Sequence, residues 1–261
     1  ATIIRYISSF ALYGFPESHS ASFALLAYAS AYLKVLFPAA FYASLLNNQP
    51  MGFYRPATLV KDAQHRDQQI RPIDVTKSDW LCTIELGGSV RLGLLYVQGL
   101  REKTGRRIVE QRQKRSFRDL DDFVKRGRLQ KPELVTLAEI GALNCFGMKR
   151  RKALWQVEEA SRQSGPLFDS IPSVIDSEYP LPDMNALERL EADYRGTKLT
   201  TGPHPMALIR GSVAKKGAVS TSCLASLKNG QRVRVAGGII VRQRPLTARG
   251  FLFLSLEDET G

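Results

Sequence analysis

The chain of 261 residues has only three cysteines and three histidines. Cys82, Cys145 and Cys223 stand far apart with no C-x-x-C pair, which argues against a disulfide framework and a thiolate zinc site and suits a reducing compartment. His65 and His204 have no evident metal-ligand partners and read as surface or loop residues. There is no glycine-rich P-loop, no close acidic pair in a strand suited to two-metal phosphoryl transfer, and no Ser/His/Asp arrangement. The acids of "LDD", Leu120 to Asp122, open a helix, where carboxylates complement the dipole. Those of "EDE", Glu257 to Glu259, sit in a turn-like stretch. By this reading the chain holds no catalytic residues and no metal site of its own.

Negative charge is also scarce. Twenty-five Asp and Glu face 37 Lys and Arg, a formal net charge of +12, which favours a polyanionic partner and above all nucleic acid. A clean membrane span is missing too. From Ala21 to Leu46 the chain is nearly continuously apolar, and a spanning helix needs roughly 20 such residues. Yet Lys34, Pro38 and several serines interrupt it, and no basic leader with a small-residue cleavage site precedes it. Two buried-type helices are expected instead: one capped by Ser20 or Ser22 and running to about Leu36, the other opened by Pro38 and running to about Asn47.

Past these, residues 57–66 read as a short amphipathic helix, and "IRPIDVTKSDWLCTIE" as extended chain closed by a Gly87-Gly88 turn. "VRLGLLYVQGLREKTGRRIVEQRQ" predicts a short helix, a tight turn at Gly99 and a second helix with Ile108 and Val109 inward. "FRDLDDFVKRGRLQKPELVTLAEIGALNCFG" repeats the layout: a helix from about Leu120, a turn over Gly127 to Gln130, a helix opened by Lys131-Pro132 and a stop near Gly141. A helix over 148–163, a Pro/Ser-rich linker over 164–182 and an acidic helix ending at Gly196 follow. "QRVRVAGGIIVRQRPLTARGFLFLSLEDETG" alternates as a hairpin, with either Phe251 and Phe253 or Leu252 and Leu254 turned inward. The expected fold class is mainly α with a small β portion.

Cations crowd the two helix–turn–helix units. Arg101, Lys103, Arg106 and Arg107 open the second helix of the first, Arg128 and Lys131 sit at the turn of the second, and Lys149, Arg150 and Arg151 follow it. Free backbone N–H groups and the helix dipole favour an anion at such helix starts. Two tandem units could thus hold phosphates on both sides of a minor groove without reading bases. A solvated charged face is the alternative for any single cation. Gly99 has two readings, a phosphate clamp or a helix C-cap without ligand, because Arg101 stands where a second glycine is common.

"YGFPESHSASFALLAYASAYLK", "FPAAFYASLLNNQPMGFY", "LGLLYVQGL", "LAEIGALNCFG", "VRVAGGIIVRQRP" and "FLSLEDETG" together resemble the bacterial C-family DNA polymerase III α subunits, specifically the error-prone, damage-tolerant branch. Pro16-Glu17 stands where the replicative branch has Asn-Lys. The resemblance implies distal fingers over 1–86, tandem helix-hairpin-helix over 87–163, linker and acidic helix over 164–228, and first strands of an oligonucleotide-binding (OB) fold over 229–261. It implies that Ser18 and His19 lie near the incoming nucleotide; helix capping is the other reading of His19. It further implies that a palm with the catalytic aspartates would precede residue 1 and that the barrel would continue past Gly261. The parent would be a cytoplasmic, nucleoid-associated, Mg²⁺- and dNTP-dependent polymerase acting on primer-template DNA in translesion synthesis, with a sliding clamp or accessory polymerase as possible partners. A free-standing helix-hairpin-helix/OB DNA-binding protein, and a protein-interaction scaffold, are the alternatives.

Overall fold

The computed structural model describes residues 2–5, 17–52, 54–162 and 181–261. The described chain is mainly helical with short sheets. Helix α1 (Glu17–Leu36) turns at Phe37 into α2 (Pro38–Asn47), which Pro38 opens as expected, since its missing N–H is no loss there. Ser20 and Ser22 lie inside α1 and are not its caps. Among the described residues no single helix is long and apolar enough to cross a membrane; α1 and α2 reach that length only as a pair bent by 119°.

One polar junction sets the bend. Tyr42 of α2, fully buried, donates its hydroxyl to Asp62 Oδ2 at 2.7 Å, and the same oxygen takes Lys34 Nζ of α1 at 2.6 Å. Asp62 belongs to α3 (Pro56–His65), whose Leu59, Val60 and Ala63 face the core. Burial and the neighbouring carboxylate push the Tyr42 hydroxyl well above its usual range, so it stays a donor. The apolar α1, by contrast, is exposed along most of its length; Leu25, Tyr28 and Val35 are each about 70% exposed.

Strands β1 (Ile70–Arg71), β2 (Thr83–Ile84) and β3 (Val90–Arg91) form one sheet in the order β1-β3-β2, β1 parallel and β2 antiparallel to β3. The extended stretch foreseen in the sequence thus pairs over only two residues per strand. Gly87 and Gly88 turn β2 into β3 with φ of 92° and 81°. The Asn47 side chain completes the pairing: it donates to Cys82 O at 2.9 Å and accepts from Cys82 N at 2.7 Å, tying α2 to the sheet. Gly93 lies so close to this segment that an added Cβ would stand 2.4 Å from Trp80 O.

Behind the sheet follow a 3-10 turn (Leu94–Tyr96), α4 (Glu102–Lys114), α5 (Leu120–Gly127), α6 (Lys131–Glu139), a 3-10 turn (Asn144–Phe146) and α7 (Arg150–Arg162). Tyr42, Leu46, Val60, Val90, Ile108, Phe123, Leu137, Leu143 and Val157 belong to one hydrophobic core. The division expected between residues 86 and 87 therefore falls in the β2–β3 turn, within a shared sheet and core. The linker expected over 164–182 lies, but for its last two residues, outside the described residues.

Helix α8 (Ala186–Thr197) starts with a capping box, Asn185 and Glu188 each accepting from the other's N–H. Helix α9 (Pro205–Ala214) is capped by His204, whose Nδ1 accepts from Met206 N at 3.1 Å. Buried Lys61 joins α3 to this region, donating to Gly202 O at 2.7 Å; loss of hydration lowers its pKa to about 8. Strands β4 (Ala218–Val219) and β5 (Arg234–Val235) pair in parallel; β6 (Gly238–Gln243) and β7 (Phe253–Glu257) form the expected hairpin, with a register shift between Ile239 and Val241. Its two faces are not divided into inner and outer: Phe251, Leu252, Phe253 and Leu254 are all exposed, because no second layer covers either side among the described residues. The "EDE" stretch is more than a turn. Fully buried Asp258 accepts from Thr221 N and Thr260 N and holds Arg210 of α9 at 2.6 Å, so its carboxyl stays far below the usual range despite burial.

Overpacking a close backbone contact costs roughly 1–3 kcal/mol, so Gly93→Ala should lower unfolding free energy by that amount in urea titrations. Gly211→Ala, at a helical site where an added Cβ meets nothing, should instead raise it by about 0.5–1 kcal/mol.

Candidate nucleic-acid interface

Both expected helix–turn–helix units are present. In the first, Val97 caps the 3-10 turn and Leu100 N returns to Val97 O at 3.2 Å. Gly99 lies two residues past that cap, exposed, with φ of 78° and nothing within 4 Å of an added Cβ. It is a glycine because of its backbone angle, not because of crowding. In the second unit Arg128 takes the left-handed conformation, φ 50°, at the end of α5, and Gln130 begins α6 with Pro132 in its first turn.

A single carboxylate joins the two units. Glu133, in the first turn of α6 and 2% exposed, accepts from Gln130 N at 2.8 Å, closing its own helix start. It also accepts from Arg101 N at 3.1 Å, Arg101 Nε at 2.9 Å and Arg101 Nη2 at 3.0 Å, closing the start of α4. Burial would raise its pKa, but these donors outweigh it and hold the carboxyl at about 2. Arg101, expected at the phosphate, is thus committed with its backbone N–H to an internal anion. The reason is geometric: the helix start that would attract a phosphate already faces a carboxylate.

The other cations divide sharply. Arg112 is a structural clamp, donating to Val75 O, to Ser78 O and to Asp79 at 2.5 Å. Arg115 and Arg126 both hold buried Asp122, at 2.9 and 3.0 Å, so the "LDD" acids do more than complement a dipole. Arg126 also lies over the Phe117 ring at 4.7 Å. Arg107 donates to Arg126 O at 3.1 Å, bringing α4 against the end of α5 beside Arg128. Lys103, Arg106 and Arg107 line an open surface groove with Glu102 and Glu110. Lys103 and Arg128 are exposed and have no ion-pair partner among the described residues, whereas Arg106 pairs with Glu102 at 2.8 Å in full solvent, a weak contact.

Lys131 pairs with Glu158 of α7 at 2.8 Å. Lys149, Arg150 and Arg151 all pair with one segment: exposed Lys149 with Asp183, Arg151 with Glu188 at 2.7 Å, and Arg150 with Asp193 at 2.7 Å, the last pair mostly buried. Of the expected set, Lys103 and Arg128 are thus the exposed cations without an ion-pair partner among the described residues, with Arg106 and half-buried Arg107 beside them. Ser18 and His19 are exposed in the first turn of α1, His19 with its ring 4.5 Å from that of Phe23. The turn before them, Gly14 to Pro16, lies outside the described residues. Among the described residues no group of three His, Cys, Asp or Glu stands together as metal ligands.

Of the two carboxylates that organise the interface, Glu133 escaped sequence reading, although the spacing from Gln130 to Glu133 is a capping-box signal, and Asp122 reads in sequence only as complementing a helix dipole. Because the folded pKa of Glu133 lies below the ordinary 4.5, its contribution is complete above pH 4.5 and fades as pH falls towards 2. Glu133→Gln should cost about 1–3 kcal/mol at neutral pH. The gap between the two proteins, read from thermal melts, should close across that acid window.

Residues 67–153 match the helix-hairpin-helix motif family, spanning the sheet, both units and the start of α7. Over 99–100% of its length the chain is similar to error-prone DNA polymerases: 45% identical to that of Alkalilimnicola ehrlichii, 44% to that of an Azoarcus species and 43% to that of Pseudomonas aeruginosa. It covers 25–26% of those proteins, about a quarter of their length. End to end, the chain is thus similar to about one quarter of the length of error-prone DNA polymerases, with a helix-hairpin-helix match over residues 67–153.

Proposed function

We propose that this chain is the duplex-gripping part of an error-prone, DNA-directed DNA polymerase, holding primer-template DNA by its backbone while catalysis resides in the portion of such polymerases that it does not span. The observation that carries the reading is the full-length similarity to error-prone DNA polymerases through a helix-hairpin-helix motif. The exposed cations Lys103, Arg106 and Arg128 beside the two turns, with half-buried Arg107 between them, support it physically, since phosphate contacts position a protein without reading sequence. Gly99 supplies the open backbone between them.

Around this grip we assign residues 1–86 to the distal fingers, 87–163 to the duplex-binding module and 229–261 to the opening strands of an OB fold. The exposed, all-round apolar α1 is of the kind a larger protein buries at its centre. Ser18 and His19 at its start would face the incoming nucleotide, Ser18 through its hydroxyl and His19 through an imidazole N–H. Arg232, Arg242 and Arg244, exposed on and beside the β6–β7 hairpin, would follow a single template strand. Mg²⁺ and dNTPs would serve the polymerase as a whole. A sliding clamp or accessory polymerase is a partner class consistent with translesion synthesis, and a cytoplasmic, nucleoid-associated location follows from the same role.

For duplex binding, log K should fall against log salt with a slope of about 0.9 per phosphate neutralised. Lys103→Ala/Arg128→Ala should weaken duplex binding at low salt and flatten that slope by roughly 1–2, whereas Arg101→Ala should lower thermal stability and leave the slope nearly intact. Fluorescence anisotropy with a labelled primer-template across a salt series reads both. An unchanged slope in the double variant would remove the two turns from the interface, and no binding at low salt would sink the duplex reading itself.

A further inference from the structure

Three consecutive cations at the start of α7 are answered, one for one, by three carboxylates of a single segment. Lys149 meets Asp183, Arg151 meets Glu188, and Arg150 meets Asp193. This helix start is otherwise built for an anion: Gly147, with φ of 76°, turns the chain into it, and Lys149 O receives the first helical bond from Ala153 N at 2.9 Å. The three pairs differ in kind. Arg150 and Asp193 are each only 15% exposed, and Arg150 also donates to Arg189 O at 3.0 Å, so this pair anchors α8 to α7. Lys149 is 77% exposed and Asp183 45%; Glu188 is 40% exposed against Arg151 at 23%. Ion pairs so open to water contribute little stability and are readily exchanged.

We propose that residues 183–188 form an exchangeable acidic latch, in which Asp183 and Glu188 occupy the cations Lys149 and Arg151 until the phosphates of a duplex displace them, while Arg150–Asp193 remains closed as the hinge. The inference rests on the duplex-binding reading above and adds to it a competitor built into the chain. In the free protein the latch neutralises two cations that would otherwise attract any polyanion. A duplex held at the two turns and long enough to pass along α6 to the start of α7, which lies at the other end of α6, exchanges anion for anion there and gains two contacts. No covalent chemistry is involved, and the hinge keeps α8 in place throughout.

The test uses the full chain and a blunt duplex oligonucleotide of mixed sequence in a salt series. Asp183→Asn/Glu188→Gln should tighten binding at low salt by roughly three- to tenfold and steepen the salt slope by about 1. Asp67→Asn/Glu191→Gln changes net charge equally but touches neither cation, and should gain less than twofold. Adding Lys149→Ala/Arg151→Ala to the latch variant should abolish its gain. Equal gains in the latch and control variants, or no gain in either, overturn the latch while leaving duplex binding standing. Hydrogen exchange on the unmodified chain gives a reading that does not depend on any variant folding: duplex should speed exchange at residues 183–188 and spare 190–197, and unchanged rates overturn the proposal. Should the unmodified chain bind no duplex at low salt, the duplex reading fails and the latch with it.

Discussion

In a chain with twelve more cations than anions, a few carboxylates each gather several donors from different parts of the sequence. That sharing shapes the molecule. Glu133 closes two helix starts and grips Arg101; Asp122 answers Arg115 and Arg126; Asp62 joins Lys34, Tyr42 and Arg66; Asp258 gathers Arg210, Thr221 and Thr260. Burying such a carboxylate is costly unless hydrogen bonds replace its water, and in each case they do. What remains unanswered after these assignments, Lys103 and Arg128 at the two turns among it, is positive charge left to the surface.

Much of the architecture was legible before any coordinates. Pro38 and Pro132 announced helix starts, Gly87-Gly88 a turn, Gly99 and the run from Gly127 to Gln130 the two elbows, and Ile108 an inward face. These features are local, written in residues a few positions apart. The commitments of individual cations were not local. Arg101 meets Glu133 across 32 residues, Arg151 meets Glu188 across 37 and Lys149 meets Asp183 across 34, distances at which sequence spacing carries no geometric information. For the same reason the candidate set for phosphate contact was too wide: its nine cations look alike as text, and only packing separates Lys103 from Arg101. Ser20 and Ser22 failed as caps because the helix begins at least as early as Glu17.

The shared carboxylate has a mechanical meaning as well as an electrostatic one. With Arg101 and Gln130 held by the same two oxygens, the starts of α4 and α6 cannot shift independently, and Arg107 on Arg126 O fixes the other side of the same junction. Buried Ile108, Phe123 and Leu137 fill the space between.

The β6–β7 ribbon carries a consequence of its own. It is apolar on both faces and unpaired at both outer edges among the described residues, and an open edge of that kind recruits strands from neighbouring molecules. Arg242, Arg244 and Arg249, exposed on and beside it, put like charge at that edge, which opposes such pairing. Their repulsion reaches about 10 Å at 0.1 M salt and only about 3 Å at 1 M. The ionic strength used to strip a bound polyanion from the protein would therefore also remove its colloidal shield, and the cleanest preparation would be the one most prone to precipitate.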